Sequence, residues 1–201
     1  MIWLILGLVL FLGAHSTRIF VDGWRTRTIE AWGEKSFKGV SALVSLLGLY
    51  ALIVGYGEAR LQPFPLWEPP MATRHVSALL MLFACILLVA TYVPGNFFKV
   101  RLGHPMVLSV KVWALAHLLS NGNLADVVLF GGFLLWAILN FKASRARDRA
   151  LAQTQLLSAG DAQAPVIKRS ATLLCVFVGV VVWGVIAFVL HAKLIGVSPM
   201  G

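Results

Sequence analysis

Three ionisable side chains, His104, Lys111 and His117, interrupt the apolar stretch from His104 to Ser120, and a fourth, His15, lies near the end of the first apolar run. A cation at the centre of a membrane helix costs about 2.5–3.5 kcal/mol or more, so such residues are functional candidates by default. Read as a helix, the thirteen steps from His104 to His117 set the two imidazoles about 140° apart around the axis and about 20 Å apart along it, so they do not ligate one ion together. His117 shares a face with Val110 and Trp113, and His104 shares one with Leu108, Lys111 and Leu115. A partner for either histidine must therefore come from another helix. The two remaining histidines, His75 and His191, fall at the edges of apolar runs, where solvated or interfacial roles are expected.

The chain offers little else that is reactive. It has no Gly-rich phosphate loop, no HExxH, no GxSxG and only eight acidic residues, nearly all in loops. Cys85 and Cys175 lie in separate apolar runs without a CxxC and read as small buried hydrophobes. Histidines on several membrane helices with few carboxylates suit haem better than a hard metal, because imidazole is a good axial ligand and the porphyrin supplies the other four donors. Lys111 and the inner arginines are then candidates to meet the propionates. Its nearest carboxylate in sequence is Asp126.

The elements that position these residues are membrane helices. Of 201 residues, 59% are apolar and only 12% charged, far from the soluble norm of about a quarter charged. Apolar runs at Met1–Phe20, Gly39–Gly57, Val76–Val93, His104–Ser120, Leu124–Phe141 and Thr172–Leu190 each approach the 20 or so residues that a spanning helix needs. They are continuously apolar, without the alternation of a barrel strand. The expectation is an all-α polytopic bundle of about six transmembrane helices forming a single domain over residues 1–201. The fourth and fifth helices are joined through residues 120–123 as a tight hairpin.

The net charge of +9 raises the question of nucleic acid, and the positions of the charges answer it. Thirteen Lys and Arg follow the first, third and fifth runs, against three (Arg60, Arg74 and Lys193) on the other side. This asymmetry predicts both termini outside and the basic loops in the cytoplasm, including residues 142–169; it implies anionic lipid contact and no nucleic-acid partner. The first run has no basic segment before it, so it is expected to stay as a helix and not to be cleaved. Residues 21–38, with Trp24 and Trp32, read as an interfacial amphipathic segment. Residues 61–70 (LQPFPLWEPP) are too rich in proline for a helix and read as a rigid extracytoplasmic loop. Residues 97–101 read as a short inner loop. The first half of 142–169 reads as a basic surface helix and Ser158 to Pro165 as a linker.

Several motifs carry a resemblance: GAHSTR at 13–18, KGVSALVSLLGLY at 38–50, LWEPP at 66–70, VATYVPGN at 89–96 and LGHPMVLSVKVWALAHLLSNGNLADVVLFG at 102–131. Together they resemble the NnrU family of bacterial membrane proteins, most strongly over residues 1–140. That resemblance implies a multi-pass protein of the bacterial inner membrane, linked to denitrification and to the respiratory nitrite and nitric oxide reductase machinery. The family is related to the plant 15-cis-zeta-carotene isomerase, a membrane haem b enzyme, through His15-Ser16, His104-Pro105 and the stretch Trp113 to His117. The resemblance implies haem b with His15 and His117 as its axial ligands; Ala114 stands where the isomerase has a cysteine used in ligand switching. Counting depth along the helices brings His104 closer to His15, so both pairings stay open. Arg101 to Pro105 is also similar to the Arg-His-Pro motif of small membrane methyltransferases that use S-adenosylmethionine, with Gly103 in place of the Arg.

Overall fold

The computed structural model describes residues 1–157 and 166–199. The linker read at Ser158 to Pro165 lies outside the described residues. Among those residues every regular element is helical: α1 (Ile2–Phe20), α2 (Asp22–Trp32), α3 (Glu34–Leu61), α4 (Met71–Tyr92), α5 (Phe97–Leu102), α6 (Pro105–Ser120), α7 (Leu124–Leu157), and α8 (Arg169–Val185), which runs through a π turn (Ile186–Leu190) into α9 (His191–Ile195). Five of them, α1, α3, α4, α7 and the run from Arg169 to Ile195, are long and apolar enough to cross a membrane. The protein is a multi-pass membrane protein.

The fourth apolar run is the short one. Gly103 sits at φ 64° and His104 at φ 45°, and the helix begins only at Pro105. A residue before proline is pushed out of the helical region, while proline itself suits the first helical position. His104 is therefore the cap of α6, its carbonyl accepting from the Val107 and Leu108 N–H groups, and not a residue within the helix as the sequence suggests. The 16 residues of α6 extend about 24 Å, short of the roughly 30 Å of a bilayer core.

Three other boundaries differ from the reading of the sequence. The expected inner loop at 97–101 is the helix α5, because Asn96 caps it by accepting from the Lys99 N–H. The interfacial segment 21–38 divides at Gly33 (φ 81°) into α2, which has no buried residue, and the first turn of α3. The basic helix after Phe141 is the continuation of α7: nothing between Phe141 and Leu157 is Gly or Pro, so no residue stops the helix.

The helices fall into two compact units, residues 1–68 with 121–140, and 69–120 with those from 141 on. In the first, α1 and α3 touch backbone to backbone. A Cβ on Gly7 would meet the Ala51 and Leu52 backbone, one on Gly48 the Phe11 backbone, and one on Gly55 the Trp3 and Leu4 backbone. Leu4, Leu52 and Ala125 form the buried centre, with Phe11, Tyr56, Val128, Leu129 and Phe133 around it. The proline loop docks on the start of α7: the Leu66 N–H donates to the Gly122 carbonyl and the Leu124 N–H to that of Phe64.

In the second unit α4 packs against α6 and α8. Ser77 on α4 donates to the Ala116 carbonyl and Ser109 on α6 donates back to that of Ala84, both at 2.7 Å. Gly179 on α8 admits Ile86 of α4 to backbone contact. Cys85 and Cys175 are both buried, as their apolar surroundings suggested. Hydroxyls bonded across helices and small residues at crossings are what hold helices together where lipid removes the hydrophobic drive.

Candidate functional site

His15 projects from the last third of α1. Its Nδ1 donates to the Phe11 carbonyl at 2.7 Å. The ring lies 4.5 Å from that of Phe11 and meets Trp136 of α7 edge-on at 6.3 Å and 89°. Neighbouring Ser16 returns its hydroxyl to the Leu12 carbonyl. The Trp136 indole N–H is buried with no hydrogen-bond partner among the described residues.

His117 repeats this arrangement in the second unit. Its Nδ1 donates to the Trp113 carbonyl, 2.9 Å away, and its ring lies 5.2 Å from the Trp113 indole. A carbonyl oxygen only accepts, so in both histidines the ring proton is on Nδ1 and, in the neutral ring, the lone pair is on Nε2. Ala114, one turn earlier on α6, is fully buried.

His104 is engaged through its other nitrogen. Nε2 lies 2.9 Å from Oδ2 of Asp148 on α7, the Arg145 guanidinium is 3.7 Å from the same oxygen, and Phe141 meets the imidazole edge-on at 6.4 Å. Lys111 also reaches this aromatic, its Nζ standing 5.8 Å from the Phe141 ring centre. His104, at the cap of α6, and Lys111, within it, are thus both brought against Phe141. Asp126, the nearest carboxylate to Lys111 in sequence, is committed elsewhere: its Oδ1 accepts from the Tyr56 hydroxyl and its Oδ2 from the backbone and side-chain N–H groups of Asn123.

Of the remaining histidines, His75 is exposed on α4 and His191 donates from Nδ1 to the Val197 carbonyl at 2.6 Å. The described residues hold no group of three or more His, Cys, Asp or Glu placed to bind a metal ion on their own. Asp148, Phe141 and Trp136 were not legible as site residues. The one available signal was that Asp148 is the single acid in the basic run from Lys142 to Arg149.

The profile of one protein family, described as NnrU protein, matches residues 3–199. The chain belongs to the NnrU family. Comparison with curated proteins and with solved structures found no match. NnrU membership spans both units, so the stretches that carry His15, His104, Lys111 and His117 all fall within the family's own sequence.

Proposed function

We propose that this NnrU protein binds haem b in the bacterial inner membrane, with His15 and His117 as the axial ligands, and that it serves nitrite and nitric oxide metabolism. The observation that carries the proposal is the anchoring common to the two imidazoles: each sets Nδ1–H on the carbonyl four residues back. Haem- and metal-ligating histidines are held in this way, the anchored N–H fixing tautomer and ring direction and raising the basicity of the other nitrogen. The donor set also fits, since two imidazoles need a porphyrin to complete six-coordination. His104 fits less well, because the nitrogen equivalent to the ligating one is bonded to Asp148.

Bound haem would supply one-electron redox chemistry. The residues of the chain orient its ligands: Phe11 and Trp136 flank His15, and Trp113 flanks His117. Ala114 provides no thiol for ligand exchange, so the reading stops at haem binding and does not extend to carotenoid isomerisation.

The test is the absorption spectrum of protein purified after expression with ample haem. Two strong-field nitrogens predict a low-spin, bis-imidazole spectrum. His15→Ala and His117→Ala should each give high-spin or haem-free protein, whereas His104→Ala, His75→Ala and His191→Ala should leave the spectrum unchanged. Loss of the low-spin signal in His104→Ala but not in His117→Ala would reassign the second ligand. Colourless wild-type protein would remove the cofactor.

A further inference from the structure

Lys111 lies in an apolar helix, yet the group it reaches is the aromatic ring at the last position of the apolar part of α7. From the next residue α7 turns basic, and Phe141, Lys142, Ala143, Arg145, Ala146 and Arg149 line a surface groove. Lys142, Arg145 and Arg149 are exposed. The one acid of this segment, Asp148, lies 2.9 Å from His104 and 3.7 Å from Arg145. Four cations, three on the groove and Lys111 at its Phe141 end, thus stand around an apolar wall with a single carboxylate among them. The Arg145 guanidinium also stands near Gly103, where an added methyl would lie 3.3 Å from it.

We propose that this groove, flanked by Lys111 and His104, binds the phosphate of an anionic phospholipid. Two independent observations choose this occupant. The charge is complementary, and arginine presents a planar fork of donors that suits phosphate while lysine adds a point charge. The groove also begins where the apolar run of α7 ends, which is the level of lipid headgroups for a spanning helix. The Lys111 ammonium stands 5.8 Å from the Phe141 ring centre at that level, and a lysine's long apolar stem lets it serve a headgroup from within an apolar helix. The inference is independent of haem.

The experiment measures the rise in melting temperature of the full-length protein in detergent as phosphatidylglycerol, phosphatidylcholine or soluble glycerol phosphate is added. Phosphatidylglycerol should stabilise the wild type at far lower concentration than the other two. Lys111→Met combined with Arg145→Gln should raise the phosphatidylglycerol concentration for half-maximal effect by roughly thirtyfold, at about a factor of five per cation. Arg25→Gln combined with Arg27→Gln, which removes the same charge from α2, should change it little. Equal losses in the two double variants would overturn the site in favour of diffuse attraction. Glycerol phosphate acting as well as the lipid would overturn the lipid assignment in favour of a free anion. If Lys111→Met with Arg145→Gln does not fold, Lys142→Gln with Arg149→Gln, both at exposed positions, reads the same groove, and an unchanged half-maximal concentration there overturns the proposal.

Discussion

The hydrogen bonds of single residues separate structural polar groups from candidate functional ones. Asp126 is 3% exposed and its carboxylate accepts from Tyr56 and Asn123, which makes it the group that starts α7 and ties it to α3. A carboxylate three residues into a helix that returns to the capping N–H is half of a capping box. Tyr56→Phe should leave Asp126 short of a donor in a buried place and cost about 1–3 kcal/mol, read as a lower melting temperature in detergent. No change in melting would mean that Asn123 alone suffices. His15 and His117, by contrast, each anchor Nδ1 on a carbonyl of their own helix. That difference ranks the histidines as ligands, and the spectra of the alanine variants follow from it.

At the scale of elements, the decisive feature is how closely the helices approach. Gly55 brings α3 onto the Trp3–Leu4 backbone of α1, and any side chain there meets main chain, which has no rotamer to give way. Gly55→Leu should therefore cost at least the upper end of the about 1–3 kcal/mol typical of overpacking, seen as lost thermal stability and faster proteolysis. Gly57→Leu, two residues on, has nothing within reach of its Cβ and should be tolerated. The same outcome at both positions would show that the α1–α3 contact is not what limits stability. The start of α6 is a second such feature, since Gly103 and His104 both take positive φ so that Pro105 can open the helix and His104 can meet Asp148.

For the whole molecule the question is how often the chain crosses the bilayer. Five helices have the length and composition to do so, and α6 at 16 residues is shorter than the core. The distribution of Lys and Arg predicts that reporter fusions after Arg25 and after Ala150 face the cytoplasm and that one after Trp67 faces the opposite side. This requires α6 to complete a crossing, with local thinning of the bilayer or its flanking residues making up the length. A fusion after Ala150 that reports the outside would show that α6 does not cross.

The sequence by itself determined the class of this protein and its long apolar helices. Runs such as Met1–Phe20 and Val76–Val93 have a length set by bilayer thickness and a composition set by the cost of polar groups in hydrocarbon, and both are local properties of the chain. The proline loop read at 61–70 was legible to within one residue, α3 ending at Leu61, because proline acts on its own backbone and on that of the residue before it. The family and the histidines as candidates were legible too, the former in contiguous motifs and the latter as polar residues in apolar runs. Only the tertiary structure decided which nitrogen of each histidine is engaged, because His104 meets a carboxylate 44 residues away while His15 and His117 turn to their own helices. Nor did local pattern assign Asp148 to His104, Asp126 to Tyr56 or Lys111 to Phe141. A side chain's partner depends on which faces come together when helices pack, and that choice is made by contacts such as Gly55 on Leu4 and Gly179 on Ile86, far apart in sequence and invisible to periodicity.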